Sequence, residues 1–510
     1  MLSSCLIILV VILFCYHRWK NEKFVSLYNQ LTAGSYKPMP IIGHAYLLCG
    51  NNEDRMKGMQ IIGRIGLDLG GLGAGWFANK LYTLVSDPVL AEVILKNCSE
   101  KDYTMKFLRY LLGNASIIAP VPLWRPRRKI MNPSFSKKHL DAYMGVCARH
   151  SKITEAKFLE AGSGYIPVSK YYIRCTMDIA YESVLGIQVN TQNDPDSLVV
   201  KYWDEFREVV TGRMCRPWLH FDFIYKLLPS YSKLQTHKQY LENLSSEAIS
   251  KKFQELKEAD ASNRNVTEAN AEYKTFLETL IESSKSEGGY TNLELQEETL
   301  TLIFATSDST TVACSFTTLM LAKHQEVQEK VFKELQQVFG GSTRLVTAED
   351  LGKMKYLEAV IKESLRLYPP VPILARELQK DIMLPTGVNL LEGTSSVINV
   401  WAIHRNPRYW GPDAEIFRPE RFLDIKFEHP AQFMPFSYGP RNCAGYKFAM
   451  LIIKTLMATV VRRFRILPRT DDPNFFNKIE DLPVKYDITM KDVKDFLVKL
   501  EDRHSVNCIA

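Results

Sequence analysis

Residues 436–445 constrain this chain more than any other segment. They read Phe-Ser-Tyr-Gly-Pro-Arg-Asn-Cys-Ala-Gly and precede an apolar helical pattern that starts at Phe448. Gly439 permits a tight turn whose amides can face the sulfur of Cys443, and a helix start favours negative charge, so this thiol can serve as a thiolate ligand of a metal centre. The alternative is a buried, inert thiol, which is the usual fate of a free cysteine.

Two further pairs of residues lie far from this loop in the sequence. Glu363 and Arg366 are three residues apart in a helical pattern that ends before Pro369, so they share a face and can pair. Taken alone, such a pair is most often a solvated surface bridge. Trp124 and Arg128 share a second helical pattern, and taken alone each would more often lie on the surface.

A long, mostly apolar helical pattern over residues 295–325 is interrupted by a polar stretch. This stretch, residues 306–311, reads Thr-Ser-Asp-Ser-Thr-Thr. Hydroxyl groups in the centre of a helix can bond to preceding carbonyls and bend the helix, which can open a groove beside a ligand. A helix cap does not explain six polar residues in the middle of an apolar run.

These motifs resemble those of the haem-thiolate monooxygenases, the cytochrome P-450 family. The cysteine loop of that family reads Phe-x-x-Gly-x-Arg-x-Cys-x-Gly, and its five fixed positions would arise by chance in a chain of this length with odds on the order of 1 in 10,000. The likeness extends from Pro38 to the last segment of the chain. Residues 436–450 read most like the family-4 branch, which includes many insect enzymes.

The fold expected from the sequence is mainly helical. Residues 85–370 read as helices of about 10 to 30 residues. Short strand signals lie at Lys80–Val85 and at residues 397–400. The resemblance implies a predominantly α fold with small β-sheets (α+β), formed as a single haem-thiolate monooxygenase domain over residues 44–510.

The resemblance implies haem b as the cofactor, with Cys443 as the thiolate ligand of the iron. Two propionate carboxylates buried in apolar protein need several donors. The residues that the resemblance assigns to haem binding are Trp124, Arg128, Arg376 and Arg441 as propionate donors, together with Phe436, Gly439 and Gly445 in the cysteine loop. Gly445 leaves room beside the porphyrin at the start of the following helix.

A buried structural network is also implied by the resemblance. In the family, the Glu-x-x-Arg pair locks to an arginine of a later Pro-Glu-Arg-Phe segment, which is present here at residues 419–422. Glu363, Arg366 and Arg421 would therefore form a guanidinium network that braces the cysteine loop.

In the resembled family, the central helix crosses the haem and carries a glycine followed by an acid–alcohol pair that delivers protons during oxygen activation. The catalytic residues implied here are Asp308, Ser309 and Thr310. Thr306 replaces the glycine, and Ser309 replaces a threonine whose methyl group would restrict its rotamer, so we predict slower or less coupled turnover. Ala305 replaces the glutamate that many family-4 enzymes link to the haem, so we predict non-covalent haem.

The N-terminal segment is more apolar than the rest of the chain. Residues 2–16 are mostly apolar and basic residues follow at once, which predicts a membrane anchor at residues 1–20 with the downstream chain facing the cytoplasm. The alternative is a cleaved signal peptide, but the charge follows the apolar run and no A-x-A-like site appears. A linker and proline hinge are expected at residues 21–43, with the catalytic domain on the cytoplasmic face of the endoplasmic reticulum (microsomal) membrane.

Charge and cysteine content limit the partners and the compartment. The net charge of +7 comes without a polybasic run, so we predict no nucleic-acid partner. The ten cysteines form no CxxC pair, which fits a reducing cytosolic setting. The resemblance implies electron transfer from an acidic flavoprotein, NADPH-cytochrome P-450 reductase, with cytochrome b5 as a further partner. The basic surface that would dock them, or that is merely solvated, comprises Arg125, Arg127, Lys137 and Lys447.

Residues 218–228 are rich in aromatic and aliphatic side chains. They could form a second contact with membrane lipid that dips into the interface, or an ordinary core helix. The sequence leaves both open.

The function implied by the resemblance is hydroxylation of an apolar small molecule, such as a fatty acid, a hormone or a xenobiotic. One alternative is an isomerase or dehydratase that rearranges a peroxide without a reductase. Another is a haem- or lipid-binding protein with little turnover, which the replacements at Thr306 and Ser309 would tolerate.

Overall fold

The computed structural model describes residues 21–32, 37–261, 274–283, 289–424, 426–469, 475 and 481–506. The predicted anchor at residues 1–20 lies outside this part of the chain. The helices of the first half are α1 (Glu22–Leu31), α2 (Asn52–Asp68), α3 (Pro88–Asn97), α4 (Arg109–Leu112), α5 (Val121–Met131), α6 (Lys137–Glu160), α7 (Val168–Leu185), α8 (Leu198–Cys215), α9 (Asp222–Tyr225) and α10 (Pro229–Ala261).

The helices of the second half include the central helix of the fold. They are α11 (Phe276–Ser283), α12 (Asn292–Lys323), α13 (Gln325–Phe339), α14 (Ala348–Lys353), α15 (Lys355–Leu367), α16 (Val400–Ile403), α17 (Pro407–Trp410), α18 (Arg421–Asp424), α19 (Tyr446–Arg463) and α20 (Arg503–Val506). Helix α12 is the central helix, because it packs against α7, α10, α15 and α19.

Helix α12 confirms the helix predicted over residues 295–325, with slightly different ends. It begins where Thr291 and Glu294 form a capping box, in which each side chain accepts a hydrogen bond from the other residue's amide. The polar stretch does not interrupt it. Ser307 Oγ donates to the Ile303 carbonyl at 2.8 Å and Ser309 Oγ to the Ala305 carbonyl at 2.9 Å, so these hydroxyls are satisfied within the helix.

Within the described residues, the strands form four small sheets. They are β1 (Leu72–Phe77), β2 (Lys80–Val85), β3 (Tyr165–Pro167), β4 (Ile373–Glu377), β5 (Ile382–Met383), β6 (Asn389–Leu390), β7 (Ser395–Asn399), β8 (Phe464–Leu467), β9 (Val484–Asp487), β10 (Thr489–Asp492) and β11 (Leu497–Asp502). The largest sheet has the order β1-β2-β7-β4, with β2 and β7 parallel and the outer pairs antiparallel. A three-stranded antiparallel sheet has the order β3-β11-β8, and β5-β6 and β9-β10 are two-stranded.

Both segments that the sequence predicts as strands are strands in the structure, and the bounds of one of them differ. Strand β2 has the predicted bounds Lys80–Val85. The signal at residues 397–400 corresponds to β7, which ends at Asn399 because the side chain of Asn399 accepts a hydrogen bond from the Ala402 amide and so caps α16. The predominance of helix over small sheets confirms the predicted fold class.

A smaller apolar core lies apart from the main helical core and includes helix α1. Leu27, Tyr28 and Leu31 of α1 are buried there with residues of the β1–β2 hairpin. Helix α1 thus lies inside the stretch that the sequence suggests as a linker, and the domain start at residue 44 stays a prediction. In the described part of the chain, no helix combines the length and hydropathy that a membrane crossing needs.

Candidate functional site

The cysteine loop is a tight turn that docks on α3 and ends at α19. Gly439 has φ +77°, and a Cβ atom there would lie 2.5 Å from the Leu95 carbonyl oxygen of α3, so both conformation and space require glycine. The Cys443 amide donates to the Phe436 carbonyl at 2.9 Å, which closes the loop. At Gly445, a Cβ atom would press on the Phe135 ring at 3.2 Å.

The thiol of Cys443 has exposed surface although it lies deep in the fold. Burial raises the pKa of the Cys443 thiol, while the Gly445 amide and the charges of Arg128 and Lys101 act to lower it. Arg128 of α5 is fixed beside the thiol, because it donates to the Asn442 carbonyl at 3.0 Å and to Asn442 Oδ1 at 2.9 Å.

Arg376, Arg441 and Lys101 form a cluster of cations near the loop. Burial and Arg376 together hold the pKa of Arg441 down to about 10, and burial lowers the pKa of Arg376 to about 10. Burial, Arg376 and Arg441 place the pKa of Lys101 well below its usual range. Each group therefore raises the energy of the others' charged form.

The cation cluster has donors left over. Arg376 Nη1 donates only to the Ala375 carbonyl, at 3.0 Å, and the Nε atoms of Arg376 and Arg441 are buried without a partner. Among the described residues, no carboxylate forms an ion pair with Arg376, Arg441 or Lys101. Burying a cation without an anionic partner costs free energy. This cluster is therefore suited to bind an anion.

Lys101 was missed by the sequence reasoning. Its segment forms an isolated antiparallel bridge with Arg376 of β4, which brings the two residues together from positions 275 apart in the chain. A local pattern does not predict such a pairing. The only signal in the sequence is a lysine shortly before the Trp124 helix.

Trp124 and Arg127 are both buried residues of helix α5, and they have different partners. Trp124 is buried, and the guanidinium of Arg441 lies 5.0 Å from its ring centroid. The prediction that Arg127 belongs to an exposed basic surface is wrong. Arg127 is buried, because its guanidinium pairs with Glu294 and Glu298 of the central helix α12.

Glu363, Arg366 and Arg421 are brought together in the fold interior. Arg366 binds Glu363 through two bonds, Nε to Oε2 at 2.7 Å and Nη2 to Oε1 at 2.8 Å. Arg421 Nε lies 3.2 Å from Glu363 Oε1. Arg366 also donates to the His404 carbonyl at 2.7 Å and the Ala414 carbonyl at 2.6 Å, so the pair is neither solvated nor isolated.

One face of α12 is uncovered at the polar stretch. Ala305 is exposed, and Thr306 and Ser309 are half-buried, although most of the neighbouring helix is fully buried. Thr310 is buried, and its hydroxyl has no hydrogen-bond partner. Helix α12 packs on α19, which starts just after Cys443.

The Asp308 carboxylate is held by α8 and β10. Thr489 Oγ1 donates to Asp308 Oδ2 at 2.7 Å, Arg207 Nε lies 3.2 Å from Oδ1, and Lys491 Nζ lies 3.5 Å from Oδ1. Arg207 and Lys491 hold the pKa of Asp308 below its usual range although burial acts to raise it. Asp308 is therefore the sequence neighbour of Ser309, but its carboxylate interacts with side chains of α8 and β10.

An apolar cavity of about 210 Å³ lies against the largest sheet. Strand β4 contributes Ile373 and Ala375 to its wall, next to the cation Arg376. Its buried acid Asp102 is occupied within the protein, because it accepts hydrogen bonds from Tyr82 and Ser395 at 3.1 and 2.6 Å. The cavity thus offers apolar surface to a ligand.

These residues fit a flat macrocycle that carries two carboxylates and a central metal. A single uncovered thiol can bind the metal, unpaired cations can meet the carboxylates, and the small residue Ala305 leaves room on the other side. A predominantly helical fold with such a site defines a haem-thiolate protein.

Comparison with known proteins leads to the same class. The family described as "Cytochrome P450" matches residues 37–490. Cytochrome P450 4c21 of Blattella germanica is 32% identical over 499 residues, which cover 95% of this chain and 97% of that protein. Cytochrome P450 4V2 of Rattus norvegicus is 34% identical over 429 residues, which cover 81% and 79%. Cytochrome P450 4c3 of Drosophila melanogaster is 30% identical over 521 aligned positions, which cover 99% and 94%.

The chain belongs to the cytochrome P450 family, and it is similar to family-4 members that include insect proteins. It is accordingly a monooxygenase, an oxidoreductase that uses haem b with a cysteine thiolate on the iron, bound without a covalent link to the protein.

Proposed function

We propose that this protein is a membrane-bound monooxygenase that hydroxylates an apolar small molecule with molecular oxygen and electrons from a flavoprotein reductase. The observation that carries the proposal is the uncovered thiol of Cys443 beside buried cations that lack carboxylate partners. A ligand with anionic groups would compensate the charge that these buried cations carry.

Cys443 is the proposed ligand of the haem iron. A bound metal cation would reverse the effect of burial on the thiol and hold it as thiolate. The proposed partners of the propionates are Trp124, Arg128, Arg376 and Arg441, as the sequence suggests, and in addition Lys101. Phe436, Gly439 and Gly445 shape the loop, and Glu363, Arg366 and Arg421 hold the segments that approach it.

When bound, the haem supplies the activation of molecular oxygen. The proposed proton relay consists of Asp308 and Ser309, with Thr310 behind them. Ser309 Oγ donates to the Ala305 carbonyl, so the hydroxyl must rotate before it can donate to any other acceptor. Asp308 must leave Thr489 and Arg207 before its carboxyl can reach Ser309. Both rearrangements favour slow proton delivery.

The substrate is proposed to be largely apolar. The cavity beside β4 is walled by aliphatic and aromatic side chains, and its buried acid Asp102 already accepts hydrogen bonds from its protein neighbours. Apolar surface removed from water supplies the binding free energy in such a cavity. A fatty acid, a hormone and a xenobiotic each present such surface.

The electron donor is proposed to be an acidic flavoprotein, NADPH-cytochrome P-450 reductase, with cytochrome b5 as a further donor. Exposed cations surround the cysteine loop on α5 and at the starts of α6 and α19, namely Arg125, Lys129, Lys137 and Lys447. These elements touch the loop directly, through Arg128 on Asn442 and Phe135 on Gly445. A docked acidic surface would therefore lie close to the iron ligand.

Attachment to the endoplasmic reticulum membrane is proposed to involve a second contact beside the predicted anchor. Residues 218–228 do not form a core helix, since Phe221, Phe223 and Leu227 are 58%, 69% and 82% exposed. This segment lies close to the proline hinge: Phe77 bridges to Gly43 and stacks near His220, with ring centroids 6.0 Å apart. Anchor and exposed apolar segment would thus meet the same lipid surface.

Turnover with and without reductase tests the proposal. The purified holoprotein in vesicles is mixed with fatty acids, juvenoid and ecdysteroid hormones or xenobiotics, with NADPH, oxygen and reductase. We expect a product that gains one oxygen atom, with ¹⁸O from labelled oxygen gas. Product formed from a peroxide without reductase would favour an isomerase or dehydratase, and no substrate loss under any condition would favour a binding protein.

A further inference from the structure

His404 lies between the Glu363 network and the segment that leads into the cysteine loop. It follows helix α16 directly, is fully buried, and its ring stacks on Phe433 with centroids 5.5 Å apart. On one side, its ring Nδ1 lies 3.1 Å from the carbonyl oxygen of Arg366. On the other side, the Met434 amide donates to ring Nε2 at 2.9 Å.

These neighbours fix the protonation state of the ring. A carbonyl can only accept, so Nδ1 must carry a proton, and an amide can only donate, so Nε2 must be bare. Burial and the charges of Arg366 and Arg405 lower the pKa of His404 to about 3, which agrees with a neutral ring. His404 is therefore a neutral bridge between a carbonyl and an amide.

Met434 is connected to Cys443 by two further hydrogen bonds. The Met434 carbonyl accepts from the Ser437 amide at 3.0 Å, and the Phe436 carbonyl accepts from the Cys443 amide at 2.9 Å. Ser437 has φ +64°, a left-handed conformation that a serine holds only when its surroundings fix it. A displacement of Met434 would therefore move the backbone that presents the thiol.

We propose that His404 is a positioning residue for the cysteine loop. By accepting the Met434 amide it fixes the start of the loop, and through the Arg366 carbonyl it ties that start to the buried Glu363 network. The inference rests on the proposed role of Cys443 as iron ligand, and it adds a residue outside the loop that decides how the thiolate meets the iron.

Three substitutions of His404 in the full-length holoprotein separate the two ring nitrogens. In His404→Gln the side-chain carbonyl can reach the position of Nε2 and accept from Met434. In His404→Asn the shorter amide reaches only the Nδ1 position, and His404→Phe keeps the volume and the stacking on Phe433 but neither bond. His150→Phe is the matched control, because His150 is also a buried, hydrogen-bonded histidine but lies on α6.

The readouts are the ratio of thiolate to thiol forms in the spectrum of the reduced carbon monoxide complex, and the midpoint potential of the iron. We expect the ratio to fall about tenfold in His404→Asn and His404→Phe, the effect of one unsatisfied buried amide, and to stay within about twofold of native in His404→Gln. The potential should shift in the same two variants. His150→Phe should lower thermal stability without changing either readout.

Three results would overturn the role of His404: equal losses in His404→Gln and His404→Asn, native spectra in all the His404 variants, or an equal loss in His150→Phe. The Gln and Asn variants decide the question even where the Phe variant fails to fold. A native protein without the red-shifted thiolate form would instead overturn the ligand role of Cys443 and this inference with it, so the two failures are distinguishable.

Discussion

Arg376 is buried with a bare Nε atom and a single hydrogen bond to a neighbouring carbonyl. A guanidinium in that position needs an anion, because burial without a partner costs several kcal/mol. The positive charges of Arg441 and Lys101 interact with Arg376 and further disfavour its charged form. At the scale of residues, the proposed haem site is marked by buried cations that have no carboxylate partner in the described part of the chain.

Replacing Arg376 by methionine should weaken haem retention. The variant removes a charged donor that we propose for a haem propionate, so we expect haem to dissociate at least about tenfold faster. Transfer of haem to an excess of apomyoglobin measures the rate. The control is Arg125→Met, an exposed arginine on α5 that should leave the rate unchanged. Equal rates for native protein and Arg376→Met would contradict the assignment.

The double variant Thr306→Gly, Ser309→Thr should raise the product formed per electron consumed. Glycine removes the half-buried side chain from the uncovered face of α12, and threonine restricts the rotamer of the hydroxyl. The measurement compares product with NADPH consumed. Thr317→Ser, a change at a buried threonine about two turns further along α12 that has no part in the proposed relay, is the control. Unchanged coupling in the double variant would count against the proposed cause.

Some residues of the site follow from sequence and others do not. Cys443, Gly439 and the Glu363–Arg366 pair lie in local patterns, where a turn or an i,i+3 spacing dictates the geometry. Lys101 comes together with its partner Arg376 only through a long-range bridge. The burial of Arg127 could likewise not be predicted from its local sequence, because its acidic partners lie on a helix more than 160 residues away.

At the scale of elements, α12 carries an acid whose charge depends on the packing of its neighbours. Glu298 is fully buried, and its Oε1 accepts from the Ser116 amide and hydroxyl at 2.9 and 2.7 Å. Its Oε2 has no partner. Burial raises the pKa of Glu298 to about 7 despite Ser116 and Arg127, so the carboxyl is protonated in the folded protein below that pH.

This raised pKa predicts how stability depends on pH. Between its ordinary value of 4.5 and about 7, the folded state binds a proton at Glu298 that the unfolded state has released. Stability from this group is therefore present below pH 4.5 and is lost as the pH rises through about 7. We expect a loss of no more than about 3 kcal/mol over this window.

Glu298→Gln keeps the acceptor for Ser116 but cannot ionise. Its denaturant midpoint should therefore fall less than that of the native protein when the pH is raised from about 5.5 to 7.5. Glu326→Gln, which removes an exposed carboxylate of α13, should follow the native protein. A native pH dependence in Glu298→Gln would show that other groups cause it.

The elements themselves were largely predictable, and the deviations have local causes. The apolar periodicity around the polar stretch predicts α12, and its hydroxyls stay in the helix by bonding to the preceding carbonyls. Strand β7 ends one residue early because Asn399 caps α16. The direction of Asp308 was not predictable, since Arg207 and Thr489 come from α8 and β10, far away in sequence.

At the scale of the whole molecule, the features for which we propose a contact with lipid lie together. The proline hinge, the tip of the β1–β2 hairpin and the exposed apolar segment at residues 218–228 are neighbours. The exposed cations around the cysteine loop lie on other elements, α5, α6 and α19. A bound membrane at the first surface would leave the second available to a redox partner.

Deleting residues 1–20 should weaken membrane binding without abolishing it. Added substitution of Phe221, Phe223 and Leu227 by serine should lower the remaining affinity at least about tenfold, because three exposed apolar side chains lose their burial in lipid. Vesicle flotation measures the bound fraction. Leu293→Ser, at a side chain that is also exposed but lies at the start of α12, is the control. Equal binding by the deletion variant with and without the serines would exclude this second contact.

The spectrum of the reduced carbon monoxide complex tests the central claim most directly. The native holoprotein should show the red-shifted Soret band of a thiolate-bound haem, and Cys443→His should lose that band while retaining haem, since imidazole can bind the iron but donates less charge. A red-shifted band that persists in Cys443→His, or that is absent from both proteins, would contradict the assignment of Cys443.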